Sequence, residues 1–480
     1  MKADIYFVVK MKRLRLFFLF AMVFSASCQH PSAPLVVSSL GVGRVPAQTR
    51  PPSSEKPLQT DSEKAALLQS PADELAAENQ AELRSLDLSP LEILPLEDQA
   101  SNQDRPANLA QALAQVKALS AQVELESVSV QASGVAPSCG LDCQTELALA
   151  QHLPLSQQQW LGAHNAYNSK GIFKNQSWTL SQQLDAGVRV LELDLHRRLL
   201  SSKVRVCHGA GAYDCLLNPF GARDYQQILT EVKTWSDQHP DQLLILELEN
   251  HVKNQKSVEE PILNTFHNLL YRAAERKAGW QQETPAQIIA RGKRVIVADF
   301  GELRFDGQLI WDQKELSSNT PTKGFSADCT VKGQLMGTAA WGFYDDKTFK
   351  KANPLTVASI PQFLRCDARY LKIDRLTPEL LAARHFSWES ASPEQACAQL
   401  SQKSERWQAQ RCEKVMRFVC QTPRGWKLSM HSGFWASGPQ ICTQEFGEDS
   451  AFEPPRSYFQ NLQAQAVLPV ETNAWVGYRQ

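Results

Sequence analysis

The chain has 480 residues, which leaves room for two or three domains. Its 50 Lys and Arg offset 51 Asp and Glu to a net charge of -1. That balance argues against a nucleic-acid partner, whose footprint is a basic patch or stripe. At the N-terminus, Lys10, Lys12, Arg13 and Arg15 precede an apolar run from Leu16 to Phe24, and Ser25, Ala26 and Ser27 lead to Cys28. A basic n-region, an apolar h-region and small residues make an export signal over residues 1–28. The run is well short of the ~20 residues that cross a bilayer as a helix, which weakens the rival reading of a membrane anchor. A start at Met11 would make the signal more compact.

Residues 29–136 are rich in Gln, Ala, Ser, Pro and Glu and contain no aromatic residue. Such a segment buries too little apolar surface to repay its ordering entropy, so it reads as a disordered linker. Helical spacing over Leu109 to Val123 allows a local helix there.

From Cys139 onward apolar strand-like runs alternate with amphipathic stretches. Gln159 to Ala163 reads as a strand end, Leu180 to Ala186 as a short helix, and Val188 to Leu195 and Lys203 to Cys207 as strands. Asp224 to Asp237 has helical spacing and stops before His239-Pro240. Leu243 to Leu248 reads as a strand, Pro261 to Arg276 as a helix and Arg294 to Ala298 as a strand. This alternation predicts βαβ units and a parallel sheet, without by itself requiring closure into a barrel. Residues 386–480 differ, with Cys397, Cys412, Cys420 and Cys442 among Trp388, Trp407, Trp426, Trp435 and Trp475. They read as a small disulfide-stapled β-rich module whose tryptophans fill its core.

The chain has 11 Cys, and setting Cys28 aside leaves an even number, as in an oxidising compartment. Proximity suggests Cys139–Cys143, Cys207–Cys215, Cys397–Cys412 and Cys420–Cys442, leaving Cys329 and Cys366, although sequence alone leaves connectivity open. Zinc is set aside because no CxxC pair occurs. Cys28 itself resembles the acylated cysteine of bacterial lipoproteins, with Ser25 where that motif usually has Leu.

Four segments concentrate chemistry at predicted strand ends. They are Gly162-Ala163-His164-Asn165-Ala166-Tyr167, Gly187 to Asp194, Val206-Cys207-His208-Gly209, and Leu246-Glu247-Leu248-Glu249-Asn250-His251. In a parallel barrel the C-terminal strand ends form the active-site face, which would gather two His, one Asn and several carboxylates. Alternation puts Glu192 and Asp194 on one side of their strand and Leu191, Leu193 and Leu195 on the other. Two carboxylates inside an apolar strand are costly unless compensated, and a cation would compensate them. Asp, Glu and Asn offer only oxygen, which favours calcium or magnesium over zinc. Taken singly, each carboxylate is better read as an ion-pair partner and each His as a hydrogen-bonded structural residue. Their joint placement at strand ends is what points to a site.

In order, these segments resemble the X region of phosphoinositide-specific phospholipase C, in its calcium-dependent branch. The residues that carry the resemblance are His164-Asn165, Glu192-Leu193-Asp194, His208-Gly209 and Leu248-Glu249-Asn250-His251. It is close over about residues 155 to 255. It implies a TIM-type (β/α) barrel over 137–385, which need not be regular. It implies Ca2+ ligands at Asn165, Glu192, Asp194 and Glu249, with Glu247 as the rival to Glu249. It implies catalytic roles for His164, which would stabilise charge on the phosphate, and for His208, as general acid. The expected reaction is attack of an inositol 2-hydroxyl on phosphorus, giving a cyclic phosphate that water then opens. Glu192 is the candidate base.

The expected substrate is phosphatidylinositol, a related phospholipid or another phosphodiester, met at a membrane surface by a monomer that is secreted or lipid-anchored at a bacterial envelope. Lys372 and Arg375, near a late strand Tyr370 to Ile373, could bind phosphate, but a solvated role is the better reading. A glycerophosphodiester phosphodiesterase or sphingomyelinase D-like enzyme ranks second. Those enzymes pair the first His with Arg-Gly and the second with Asp, whereas here the pairs are His164-Asn165 and His208-Gly209. A catalytically inactive surface binder of lipid or glycan is the third reading, and the intact set of six residues argues against it.

Overall fold

The computed structural model describes residues 138–170, 174–197, 203–208, 222–301, 307–336, 340–348, 351–389 and 396–480. The expected signal, Cys28, the linker and Cys215 lie outside the described residues. Helix α1 (Leu141–Ala150) leads to β1 (Trp160–Ala163), α2 (Leu180–Asp185) and β2 (Val190–Arg197). A side ribbon of β3 (Val204–Val206) and β4 (Arg223–Asp224) precedes α3 (Tyr225–Gln238) and β5 (Leu244–Asn250). Next come α4 (Gln255–Phe266), α5 (Pro285–Ala290), β6 (Val295–Asp299), β7 (Trp311–Asp312), α6 (Gln313–Leu316) and β8 (Thr320–Pro321). A small sheet of β9 (Phe325–Ser326), β10 (Thr330–Val331) and β11 (Gln334–Leu335) follows, then β12 (Gly342–Tyr344), α7 (Ile360–Arg365), β13 (Tyr370–Ile373) and α8 (Pro378–Ala382).

Eight strands pair in parallel in the order β7-β6-β5-β2-β1-β13-β12-β8. Read as a ring, this is simply chain order, because β13 closes on β1. The architecture is therefore a TIM-type barrel with one opening, between β7 and β8. The opening has a physical cause. Parallel neighbours need a crossover of a dozen or more residues, and only residues 313–319 separate β7 from β8. The crossover from β8 to β12 uses the small sheet in place of a helix, stapled by Cys329–Cys366 to the end of α7.

Alternation sorts the strands. Leu191, Leu193 and Leu195 of β2 face outward into a core shared with Ile228, Leu229 and Val232 of α3. Inward, Trp160, Val190, Ile245, Ile296 and Tyr370 form an apolar plug at the N-terminal ends of the strands. Asp224 caps α3 by accepting from Gln227 N. The helix expected over Pro261 to Arg276 is instead Gln255–Phe266. Asn254 caps it, accepting from Ser257 N, and Val258, Ile262 and Phe266 bury one face. That spacing of four outweighs the interior Pro261, a residue that sequence rules place at a helix start.

The C-terminal module is a five-stranded sheet, β15 (Trp407–Gln410), β14 (Cys397–Ser401), β18 (Asn473–Arg479), β16 (Met416–Thr422) and β17 (Gly425–Gly433) in spatial order. Helices α9 (Gly438–Phe446) and α10 (Tyr458–Ala466) accompany it. Cys397–Cys412 and Cys420–Cys442 staple it, while Cys139–Cys143 closes the N-terminal end of α1. Cys207 is also disulfide-bonded. Trp388, Trp407 and Trp475 are at most 1% exposed, so these three pack the core and offer no stacking surface. The module meets the barrel at the N-terminal ends of the strands, where Phe459 N donates to Gln159 Oε1 at 3.0 Å, just before β1. Among the described residues, no helix is long and apolar enough to cross a membrane.

Candidate active site

Register decides what meets at the mouth. Glu192 and Asp194 of β2 lie beside Glu247 and Glu249 of β5, while Gly162 of β1 lies beside Lys372 of β13. All but Gly162 carry charge on the inward face, in two tiers.

The lower tier is an ion-pair cluster. Lys372 Nζ lies 2.7 Å from Glu192 Oε2 and 2.7 Å from Glu247 Oε2, and all three side chains are buried. Burial disfavours the ammonium, but the two carboxylates outweigh it and push Lys372 upward. The glycine at 162 is what admits the lysine stem, because a Cβ there would stand 2.6 Å from Lys372 Cγ. Lys372 is thus a buried structural cation, contrary to the solvated role read from the sequence. The same pairing occupies Glu247, which leaves Glu249 as the β5 carboxylate facing the mouth.

The upper tier holds the predicted site. Oxygens of Glu192, Asp194 and Glu249 lie within 4.8 Å of one another. Asn165 follows β1 in a left-handed conformation (φ 48°), which asparagine tolerates better than most residues. Its amide sits 2.9 Å from both Asp194 oxygens and 3.0 Å from His208 Nδ1. With its nitrogen toward Asp194 it donates to that carboxylate. With Oδ1 turned there, four side chains would present oxygen to one point, an arrangement that only a cation stabilises. The donor set therefore fits a hard divalent cation.

The two histidines flank this cluster. His164 donates through Nδ1 to Asp374 Oδ1 at 2.9 Å, and its Nε2 is 3.9 Å from Glu192 Oε1. Burial would lower its pKa, but the Asp374 and Glu192 carboxylates raise it to about 10, so His164 carries a positive charge. His208 Nδ1 lies 3.4 Å from Asp194 Oδ2. Burial beside two other acids pushes Glu192 up to about 7, against the pull of Lys372 and His164. The structure thus brings His164, Asn165, Glu192, Asp194, His208 and Glu249 into one site.

One partner was missed in the sequence. Asp374, fully buried just past β13, accepts from His164, from Asn175 Nδ2 at 3.2 Å and from Lys347 N at 2.8 Å. Its backbone N–H in turn donates to Asp345 Oδ1 at 2.5 Å. The alternation Tyr370, Lys372, Asp374 along a recognised strand was the available signal. Tyr344, at the end of β12, lies with its ring 5.1 Å from that of His164.

Residues 140–304 match the family model described as the Rv2075c PI-PLC-like domain. Over these residues the chain is similar to a PI-PLC-like domain. Among relatives, the uncharacterized protein Rv2075c of Mycobacterium tuberculosis is 29% identical over 388 residues, covering 69% of this chain and 77% of its own. The PI-PLC X domain-containing protein 1 of Arthroderma benhamiae is 26% identical over 147 residues, 30% of this chain and 46% of its own. Among solved structures, the phosphatidylinositol-specific phospholipase C of Listeria monocytogenes aligns at TM-score 0.35 and 15% identity, covering 51% of this chain and 99% of that one. A calcium-dependent phosphoinositol-specific phospholipase C from a Pseudomonas species aligns at TM-score 0.29 and 19% identity, over 46% and 82%. The PI-PLC-like match spans β1 to β6 and the segments between them, which hold every predicted site residue, and stops short of β13, which carries Lys372 and leads into Asp374.

Proposed function

We propose that this protein is a calcium-dependent phosphoric diester hydrolase that cleaves phosphatidylinositol or a related phospholipid by phospholipase C-type chemistry. The observation that carries the reading is the meeting of two histidines with a three-carboxylate oxygen cluster at the mouth of one parallel barrel. The family match to a PI-PLC-like domain supports it.

Glu192, Asp194, Glu249 and the Oδ1 of Asn165 would hold the cation, and bound calcium would supply charge neutralisation at the phosphoryl oxygens and a lowered pKa for the attacking hydroxyl. The chain's own groups move the protons. Glu192 takes the proton of the inositol 2-hydroxyl as its oxygen bonds to phosphorus. His164, kept charged by Asp374, donates to the phosphoryl oxygen on which negative charge builds. His208 delivers a proton to the glyceride oxygen as the phosphorus–oxygen bond breaks, leaving diacylglycerol and a cyclic inositol phosphate. In the second half, neutral His208 takes a proton from water as its oxygen attacks phosphorus, and Glu192 returns its proton to the 2-oxygen.

The four described disulfides fit an oxidising compartment. With the signal-like N-terminus, they support secretion or anchoring at the cell envelope, where a lipid surface supplies the substrate. The test is release of inositol phosphate from phosphatidylinositol vesicles, with calcium and with a chelator. Calcium-dependent release that falls ~10²–10⁴-fold in His164→Ala and in His208→Ala is expected. Release that persists in the chelator, or in both variants, overturns the mechanism. Absence of release from vesicles together with turnover of glycerophosphodiesters would move the assignment to the second-ranked enzyme class.

A further inference from the structure

The three carboxylates of the cation cluster are not held equally. The side chains of Glu192 and Asp194 are 2% and 3% exposed. Glu192 is fixed by Lys372, and Asp194 faces the Asn165 amide and His208. Glu249 is 37% exposed and lies at the solvent edge of the cluster. An exposed carboxylate samples several rotamers, and each rotamer that must be frozen on binding costs affinity.

Among the described residues, the side chain of His251 restrains it. His251 sits two residues along the same strand direction, so both side chains project to one face. His251 Nε2–H donates to Glu249 Oε1 at 3.1 Å. The donor is itself immobilised. The His251 backbone N–H donates to Leu195 O at 2.9 Å, and its ring stacks on that of fully buried His196 at 4.6 Å and 21°. His196 extends the inward row of β2 beyond Glu192 and Asp194. The arrangement is a buried imidazole that supports a second imidazole, which orients the exposed carboxylate.

We propose that His251 is the positioning residue for the cation site, holding Glu249 in its ligating rotamer from a ring clamped against His196. The proposal rests on the calcium reading above and deepens it. Outer partners of metal ligands contribute typically about 10–100-fold in affinity. The effect is expected in calcium binding, not in the chemical step at saturating calcium.

The test compares three variants of the full-length protein by calorimetric titration with calcium alone. His251→Gln places an amide N–H near the position of Nε2, His251→Asn is too short to reach Glu249, and His251→Phe keeps the stacked ring without a donor. His251→Asn and His251→Phe should weaken calcium about 10–100-fold, and His251→Gln should stay near wild type. The calcium midpoint for activity should move by the same factor while kcat at saturating calcium is retained. Using Asn beside Phe keeps the test decisive should one of them fail to fold. Wild type that binds calcium beside a folded His251→Asn or His251→Phe that binds it equally overturns the positioning role alone. Wild type that binds no calcium overturns the cation reading, and this proposal with it.

Discussion

Glu146, on α1, ties the barrel to the segment that leads into the C-terminal module, and its removal should cost stability in a pH-dependent way. Its carboxylate is buried and accepts from Phe386 N at 2.7 Å, Ser387 N at 3.0 Å and Ser387 Oγ at 3.1 Å, with His385 Nδ1 at 3.0 Å and Arg384 Nη1 at 3.8 Å. Burial alone would raise its pKa. The charge and hydrogen bond of His385, then Arg384 and the Ser387 N–H, outweigh burial and bring it from 4.5 to about 2. A depressed carboxylate contributes stability that is present above its unfolded pKa and lost as pH falls through the folded one. With His385 charged and the unfolded carboxyl ionised, the depression corresponds to about 3 kcal/mol, at about 1.4 kcal/mol per pH unit. By pH 3.5 roughly 1.4 kcal/mol of that has gone, because the unfolded carboxyl is already mostly protonated. Glu146→Gln has no such titration. Urea unfolding of wild type and Glu146→Gln at pH 5 and 3.5 should therefore show a gap that narrows by roughly 1.3 kcal/mol as pH falls. A gap that stays level to pH 3.5, or widens, would refute the reasoning.

Three further outcomes follow from the barrel interior. Lys372→Met strands the Glu192 and Glu247 carboxylates without their cation and should destabilise by roughly 3–5 kcal/mol in urea unfolding, with Glu247→Gln in the same chain restoring part of the loss. In the calcium-free protein, an NMR titration should find His164 protonated well above the ordinary histidine range, and Asp374→Asn should bring it down. Because that pKa is raised, its stabilisation is complete below about 6.5 and disappears as pH rises through about 10. Gly162→Ala sets a Cβ 2.6 Å from Lys372 Cγ, and the overpacking should cost about 1–3 kcal/mol in unfolding free energy, with no change in secondary structure by circular dichroism.

Much of the site was legible from alternation and strand ends. Glu192 and Asp194 had to share a face because side chains in a strand repeat every two residues, and the three leucines between and beside them had to face helices. His164, Asn165, His208 and Glu249 followed because each stood at or near the end of a predicted strand. Local spacing also gave the pairs Cys139–Cys143, Cys397–Cys412 and Cys420–Cys442, since short loops close with little entropy. What a linear pattern could not carry was anything that depends on strands distant in the chain. Lys372 reads as a surface lysine until β13 is placed beside β1, 210 residues earlier, and its ammonium is carried to Glu192 and Glu247. The same closure delivers Asp374 to His164 and pairs Glu247 with a lysine, while Glu249 lies with Glu192 and Asp194 at the mouth. Periodicity sets which face a side chain takes. Only register and ring closure set which charge it meets there.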